Sequence, residues 1–383
     1  MIKKIFLFFL IWKLLTLLIS YFSEKFIPYL GFFPYKEELL KFNLPKFIYS
    51  LANFDGVHYL QIAQNGYSQF QQAFFPLYPI LIKIFNPVFN NYLLTGLFMS
   101  NLFFFFGLIF FVKYLQLIDK KINWQQTLLF LLVFPTSFFF GNLYTEGLFF
   151  FLFTGFLYFL KKENYFLIII FSILASLTRL IGVFFIILIF FNLIKIIKNS
   201  KLKIKNLILA FSPLIGFLIY CFYLWKTTGN PLMFFHSQPA FGANRSTNII
   251  ILPQVIFRYI KIFFTAQFNF QYFISLFEFL TFFLVLIVLT FDFFIQLKFN
   301  KNLKLKIKNY DFLGLNLFSL ANLILPTLTG TFSSIPRYSL FSLSLFIYIG
   351  NLKNSFLKTG LLIIFLIFQI IIFGFFVQGY FVS

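Results

Sequence analysis

Acidic residues are scarce in this chain, where ten aspartates and glutamates stand against 31 lysines and arginines among 383 residues. Charged residues of both signs make up only 11% of the sequence, whereas about a quarter of the residues are charged in a soluble domain. Hydrophobic residues make up 61%, and the mean hydropathy is +0.91. This composition excludes a soluble globular protein and predicts an integral membrane protein, with residues 1–383 forming a single membrane domain.

Cysteine and histidine are also nearly absent. The single cysteine, Cys221, cannot form an intramolecular disulfide. The sequence has no His/Asp/Glu cluster with metal-ligand spacing, no second carboxylate next to Asp55 of the Asp-x-Asp kind, and no Walker A, dinucleotide-binding or Gly-x-Ser-x-Gly motif. We therefore predict that no metal or cofactor is required, and we disfavour nucleotide-driven transport and serine hydrolysis.

The formal charge of +21 is not that of a nucleic-acid-binding surface, because the cations fall in short clusters between apolar runs. These clusters lie at residues 3–4, 120–121, 161–162, 195–205, 298–308 and 353–358. Lysine clusters between spans mark cytoplasmic loops, so the N-terminus is predicted to be cytoplasmic and residues 5–22 to form an uncleaved signal anchor. The 71 phenylalanines, with abundant Ile, Lys and Asn, indicate an A+T-rich genome and hence a bacterial plasma membrane.

Alternating the apolar runs across the membrane predicts an all-α bundle of about 11 transmembrane helices. The predicted spans are residues 5–22, 92–118, 127–140, 148–160, 166–177, 181–194, 207–225, 272–297, 311–328, 338–349 and 359–377. Two long outer loops, 23–87 and 226–267, interrupt the pattern. The first contains several prolines and glycines and cannot form one buried helix, so it is predicted to carry short interfacial helices.

Few of the acidic residues are candidates for chemistry. Six of them lie near the interface beside lysines and are expected to be solvated: Glu24, Glu37, Glu38, Asp119, Glu163 and Asp311. Glu278 and Asp292 fall within an apolar run, where an ionisable group is costly and often functional, although Asp292 is close enough to the cytoplasmic end to reach the interface. Asp55 and Glu146 remain, each in a predicted outer segment.

Asp55 and His58 are three residues apart and would share one face of a helix. That spacing suits a general base with a neighbouring donor. On spacing alone, an aspartate that caps an interfacial helix is an equally good interpretation.

Several motifs follow one another in a specific order. They are Phe54-Asp55-Gly56-Val57-His58-Tyr59, Ile62-Ala63 with Gly66-Tyr67, Ala73-Phe74-Phe75-Pro76-Leu77-Tyr78-Pro79, Phe134-Pro135-Thr136-Ser137-Phe138-Phe139 with Tyr144-Thr145-Glu146, Leu177-Thr178-Arg179-Leu180-Ile181-Gly182, and Pro336-Arg337-Tyr338. This series resembles the PIG-V-type mannosyltransferases, the group that includes the GPI second-mannose transferase and bacterial relatives. Phe54 departs from the family, which usually has tryptophan there.

The resemblance implies a GT-C-type glycosyltransferase with an extracytoplasmic active site and a polyprenyl- or dolichyl-phosphate sugar as donor. The transferred sugar would be a hexose, by analogy mannose. The acceptor would be a glycan, a glycolipid or a protein. Asp55 would be the catalytic base, and phosphate suits the planar fork of an arginine. Arginines and other residues of the motifs would then contact donor or acceptor: Arg337, Arg179, His58, Glu146, Tyr144 and Tyr338.

Alternatives remain at this stage. Each arginine could instead reach the membrane interface, and Glu146 could form a structural ion pair with Arg179. Cations of the second outer loop are expected to contact lipid headgroups: Lys226, Arg245, Arg258 and Lys261. At the level of function, the alternatives are a transporter or lipid flippase, and a polysaccharide polymerase or ligase that uses lipid-pyrophosphate-linked glycans.

Overall fold

The computed structural model describes residues 1–31, 35–197, 204–242, 245–299, 305–307 and 309–382. Much of the two predicted lysine-rich loops, 195–205 and 298–308, lies outside the described residues.

The described residues are almost entirely helical. They form eighteen α-helices: α1 (Ile2–Phe26), α2 (Lys36–Leu40), α3 (Lys46–Tyr49), α4 (Asp55–Asn65), α5 (Leu77–Phe89), α6 (Tyr92–Ile118), α7 (Trp124–Val133), α8 (Glu146–Lys161), α9 (Tyr165–Thr178), α10 (Phe185–Ile197), α11 (Ile204–Thr228), α12 (Met233–His236), α13 (Leu252–Thr265), α14 (Phe270–Gln296), α15 (Tyr310–Ile324), α16 (Ile335–Tyr338), α17 (Leu343–Gly350) and α18 (Ser355–Val377). One short antiparallel hairpin, β1 (Leu297–Phe299) with β2 (Leu305–Ile307), follows α14. The predicted helical fold is thus confirmed, apart from this hairpin, which the sequence analysis did not foresee.

Asparagine side chains begin many of these helices. In six of them the residue before the first turn is an asparagine whose side-chain oxygen accepts a backbone N–H of that turn: Asn91, Asn123, Asn164, Asn269, Asn309 and Asn354. Such a cap satisfies N–H groups that have no partner within the helix. The abundant asparagine therefore fixes where apolar helices start.

Six helices are long and apolar enough to cross a membrane. They are α1, α6, α14 and α18, together with residues Ile208–Thr228 of α11 and Tyr310–Thr329, which extends α15. Many large apolar side chains on these helices are exposed, including Phe6, Leu10 and Leu14 along α1. Exposed apolar faces on long helices are those of an integral membrane protein, whose solvent is lipid.

The other five predicted spans correspond to shorter helices. These are α7, α8, α9, α10 and α17, which contain 10, 16, 14, 13 and 8 residues. A helix needs about 20 residues to cross the hydrocarbon core. Each predicted span coincides with an apolar helix, but the length of an apolar run in the sequence does not give the length of the helix.

Both long predicted loops contain short helices, as expected: α2, α3 and α4 lie in residues 23–87, where α5 also begins, and α12 and α13 lie in residues 226–267. Helix α13 is amphipathic, with Val255 and Tyr259 buried and Phe257 and Phe264 exposed. An amphipathic helix of this kind suits a membrane interface.

The segment between α7 and α8, residues 134–145, is buried and held by polar contacts from distant helices. Trp12 Nε1 donates to Ser137 Oγ at 3.1 Å, and Asn101 Nδ2 donates to the Gly141 carbonyl at 2.9 Å. Thr136 Oγ1 donates to the Pro336 carbonyl at 2.7 Å. These contacts fix both the start of α8 and the start of α16.

Gly147, the second residue of α8, allows this close packing. A Cβ at position 147 would lie 2.4 Å from the Ser100 carbonyl oxygen and 2.5 Å from that of Phe140. Because both atoms belong to the backbone, Gly147→Ala should destabilise the protein by about 1–3 kcal/mol, which thermal unfolding of the purified protein in detergent would detect. The matched control is Gly360→Ala in α18, where no atom lies within 4 Å of the added Cβ. An equal melting temperature for the two variants would contradict the packing.

Candidate active site

Asp55 is the first residue of α4, and the chain that leads into it is strained. Phe54 has φ +60° and ψ −116°, a conformation that non-glycine residues rarely adopt. The strain, on the order of 1–3 kcal/mol, is opposed by anchoring contacts: Asn53 Nδ2 donates to the Phe376 carbonyl at 3.0 Å, and the Phe54 ring packs on Phe376 with centroids 5.7 Å apart. The strained residue directs the Asp55 side chain, and the positive end of α4 favours its charge.

Four charged side chains are linked by ion pairs into a continuous series that begins at Asp55, and we call this series the charged chain. Arg337 of α16 donates from Nη1 to Asp55 Oδ2 at 2.7 Å, and its Nε lies 3.1 Å from Glu146 Oε1. Arg179 donates to the same Glu146 oxygen and to Thr145 Oγ1, the latter at 3.0 Å. Two carboxylates and two guanidinium groups thus alternate, with opposite charges in contact and a net charge of zero.

The charged chain is partly exposed at Asp55 and buried at Glu146. The Asp55 side chain is 21% exposed and that of Arg337 is 14% exposed, whereas Glu146 is 0% exposed. Asp55 Oδ1 accepts no hydrogen bond from the part of the chain that the structure describes. One oxygen of Asp55 is therefore held by Arg337, and the other remains free to accept a proton from a bound molecule.

Aromatic rings support both arginines. The Arg337 guanidinium lies over Phe139 and Tyr144, 5.4 Å and 5.5 Å from their ring centroids. Arg179 lies 5.1 Å from the Tyr338 ring centroid. Guanidinium groups are attracted to ring faces, the more so where water is excluded. These contacts hold the arginines in the positions that pair them with Asp55 and Glu146.

Two of the predicted substrate contacts, Tyr144 and Glu146, are enclosed by other side chains of the protein. Tyr144 is buried, and its hydroxyl donates to the Asn53 carbonyl at 2.7 Å, which ties the start of α8 to the strained turn before Asp55. Glu146 is enclosed by the two arginines. The structural ion pair of Glu146 with Arg179, one of the two alternatives from the sequence, is present. Arg337 does not extend to the membrane interface, because two carboxylates hold it.

His58 lies one turn after Asp55 in a cage of rings. Its ring stacks on Phe74 at 5.0 Å and meets the edges or faces of Tyr35 and Phe241 at 5.1 Å each. Its Nδ1 is buried without a hydrogen-bond partner among the described residues. Burial lowers the pKa of His58 below its ordinary value, although the Asp55 charge acts the other way. A neutral imidazole is therefore available to make one further polar contact.

The Asp55 carboxyl is held in its ionised form. Burial opposes ionisation, but the Arg337 charge and hydrogen bond outweigh it, with smaller effects of the same sign from His58 and Arg245, so the pKa lies below the ordinary carboxyl value. A group that must accept a proton has to be ionised beforehand. The arrangement keeps Asp55 in the ionised form that a general base requires.

The two acidic residues within the apolar run of α14 have structural partners. Glu278 is buried and accepts a hydrogen bond from the Tyr259 hydroxyl at 2.7 Å, which connects α14 to α13. Asp292 is buried and accepts from Asn316 Nδ2 at 2.7 Å, which connects α14 to α15. Asp292 therefore packs between helices and does not extend to the interface as the sequence analysis allowed.

One residue of the site was not predicted from the sequence. Arg245, expected to meet lipid headgroups, donates from Nη1 to Gln238 Oε1 at 3.0 Å and from Nη2 to Ser334 Oγ at 3.1 Å. Ser334 directly precedes α16, so Arg245 lies close to the element that carries Arg337. Nothing in the spacing of residues 245 and 334 indicates that they meet.

Within the described residues, no group of three or more His, Cys, Asp or Glu side chains is arranged to hold a metal ion. No known protein family, curated protein or solved structure matches the chain. The resemblance to the PIG-V-type enzymes therefore rests on the motif residues themselves, and the activity follows from the site only as a proposal.

Proposed function

We propose that the protein is a GT-C-type glycosyltransferase that moves a hexose, mannose by the family resemblance, from a polyprenyl-phosphate sugar to an acceptor hydroxyl. The observation that carries this proposal is the Asp55 carboxylate, with one oxygen bound by Arg337 and the other free, at the end of a charged chain assembled from four of the motifs. In the proposed topology, about eleven helical segments form a bundle in a bacterial plasma membrane. The N-terminus and the lysine clusters are cytoplasmic, and Asp55 lies on the extracytoplasmic side.

The proposed reaction is an inverting displacement. The acceptor oxygen attacks the anomeric carbon, the bond from that carbon to the phosphate oxygen breaks, and its electron pair leaves with the lipid phosphate. The hydroxyl proton passes to Asp55, which acts as general base. The leaving group is already an anion, so no general acid is needed, and the unoccupied oxygen of Asp55 supplies the single acceptor that the step requires.

Each charged residue has a place in this scheme. Arg337 orients Asp55 and keeps it ionised, and Glu146 and Arg179 hold Arg337 from behind. Arg337 has further N–H groups that remain available to a donor phosphate, because a guanidinium has five. His58 is available for a sugar or acceptor hydroxyl. A lipid-linked donor would reach the site from within the membrane, and the acceptor would be a glycan, a glycolipid or a protein.

The transporter alternative has less support. It would place Glu278 and Asp292 along a path through the bundle, but the side chains of Tyr259 and Asn316 on adjacent helices bind them. The charged chain at Asp55 has no evident use in such a path.

The direct test is to incubate the purified protein with polyprenyl-phosphate mannose, glucose and galactose, and separately with a polyprenyl-pyrophosphate-linked oligosaccharide, and to measure the released lipid phosphate and the glycosylated acceptor. Transfer from at least one of these donors is expected. Transfer only from pyrophosphate-linked oligosaccharides would instead indicate the polymerase or ligase, and solute or lipid transport without transfer would indicate the transporter.

The pH dependence of transfer offers a second test. Because Arg337 lowers the pKa of Asp55, the carboxylate is ionised between about pH 5 and 8, and transfer should show no loss in that range from protonation of Asp55. The ion pair stabilises the fold above the ordinary carboxyl pKa, and that stability is lost as the pH falls through the lowered pKa.

Arg337→Gln removes the largest effect that lowers this pKa and leaves burial, which raises it. When the transfer rate is plotted against pH, the rate falls at low pH as Asp55 is protonated. This acidic limb of the residual activity should therefore move to higher pH in Arg337→Gln. Arg258→Gln, which changes an arginine that binds the Gly330 carbonyl, should leave the limb in place. If the acidic limb lies at the same pH in Arg337→Gln and in the wild type, Arg337 does not control the pKa of Asp55.

A further inference from the structure

Arg245 is a partly buried cation close to Asp55. It is held by two neutral oxygens, those of Gln238 and Ser334, at 3.0 Å and 3.1 Å. Ser334 has φ +69° and is followed directly by α16, so the arginine is fixed to the turn that presents Arg337. Its charge also acts on Asp55, since it contributes to the lowered pKa of that carboxyl.

The charges of the site are balanced without Arg245. Arg337 pairs with Asp55 and Glu146, and Arg179 pairs with Glu146. In the part of the chain that the structure describes, no carboxylate lies within ion-pair distance of Arg245. The carboxylates whose charges reach it, Asp55 and Glu278, are already bound by Arg337 and Tyr259. A partly buried cation without a paired anion is costly, and an anionic ligand would relieve that cost.

We propose that Arg245 binds the phosphate group of the lipid-linked donor, an inference that rests on the proposed glycosyl transfer. The phosphodiester of such a donor carries one negative charge, which one guanidinium can balance. Two N–H groups of Arg245 hold Gln238 and Ser334, which leaves three of its five for phosphate oxygens. Helix α13, which follows Arg245 in the chain, exposes Phe257 and Phe264 and offers an apolar surface beside which a prenyl chain can lie.

The proposal also gives Arg245 a part in the reaction. As the bond between the anomeric carbon and the phosphate oxygen breaks, its electron pair moves onto the phosphate, which becomes a lipid monophosphate with an additional negative charge. The proton from the acceptor hydroxyl goes to Asp55. A cation at the phosphate therefore interacts more strongly with the departing group than with the intact donor, which is the condition for lowering the barrier.

The test measures binding without turnover, so that it does not depend on finding the acceptor. Farnesyl monophosphate, the probe, is titrated against the purified protein in maltoside detergent free of phospholipid. Wild type should bind it, and Arg245→Gln should weaken binding by about tenfold or more, because the variant loses charge-assisted hydrogen bonds to the phosphate. Arg245→Lys, which keeps the charge but not the fork, should lie between the two.

Three controls make the result specific. Arg258→Gln changes an arginine of the same outer segment that binds a backbone carbonyl, and it should bind the probe as the wild type does. Farnesol has no phosphate and should bind wild type and Arg245→Gln alike. Asp55→Asn should keep probe binding while losing transfer, so a failure of the proposed reaction can be distinguished from a failure at Arg245.

Two results would overturn the assignment. One is equal affinity of wild type and Arg245→Gln for farnesyl monophosphate, including the case in which neither binds it. The other is equally strong, Arg245-dependent binding of dispersed phosphatidylglycerol, which would identify a site for bilayer headgroups rather than for the donor. The proposal is supported if the wild type binds farnesyl monophosphate more tightly than phosphatidylglycerol and if Arg245→Gln loses this preference.

Discussion

Replacing Asp55 with asparagine should lower the rate of hexose transfer by about 10²–10⁴-fold, the usual contribution of a general base. The amide keeps the size of the side chain and can still accept a hydrogen bond from Arg337, but it cannot take up the proton of the acceptor. Because Arg337 keeps its contact with Glu146 when Asp55 is neutralised, no guanidinium is left without a paired charge, and the substitution should cost little stability. The melting temperature should remain close to that of wild type while kcat, measured as released lipid phosphate, falls.

The matched control for Asp55→Asn is Glu38→Gln. Glu38 also lies in residues 23–87 and also pairs with a cation, Lys41 at 2.7 Å, but both side chains are on the surface. This variant should transfer hexose at the wild-type rate. Near-normal transfer by Asp55→Asn would remove the base from the proposed mechanism, whichever donor is used.

Glu146→Gln should be the most destabilising of the charge substitutions at the site. Glu146 is 0% exposed and pairs with both Arg179 and Arg337, so its neutralisation leaves Arg179 without a paired charge and Arg337 with Asp55 alone. Removal of one partner from a buried ion pair costs about 3–5 kcal/mol. The melting temperature in detergent should fall markedly, and transfer should fall with it because Arg337 loses its support.

Two further variants separate charge from packing at Glu146. In the double variant Glu146→Gln with Arg179→Gln, the unpaired cation is gone, and part of the stability should return, because the effects of substitutions at residues in contact are not additive. Glu163→Gln, just beyond the other end of α8, changes a carboxylate without burial and should melt as the wild type does. A melting temperature for Glu146→Gln equal to that of Glu163→Gln would show that the charged chain does not hold this part of the fold.

The sequence predicted the members of the charged chain better than their partners. Asp55, Glu146, Arg179 and Arg337 were each singled out, because ionisable groups are rare in an apolar chain and stand in ordered motifs. The ion pair of Arg337 with Asp55, however, joins residues 282 positions apart. No local periodicity encodes such a contact, and only the tertiary fold, which brings the start of α4 to α16, produces it.

The same limit explains the other differences. Hydropathy located the eleven apolar segments, but it does not measure helix length, and α17 has only 8 residues. Arg245 was assigned to the membrane surface because a cation in an outer loop is most often solvated; its bonds to Gln238 and Ser334 depend on a tertiary contact. Asp292 lies at a sequence position that suits the interface, but Asn316 on a neighbouring helix binds it.

The four residues of the charged chain are synthesised at different times, and this order has a consequence for biogenesis. Asp55, Glu146 and Arg179 leave the ribosome well before Arg337, and chains fold from the N-terminal end as they are made. Until residues 335–338 arrive, the Asp55 carboxylate has no arginine bound to it and Glu146 has only one. The nascent protein can therefore insert its early helices long before it is able to act, and a chain that stops short of Arg337 would sit in the membrane as an incomplete and inactive assembly.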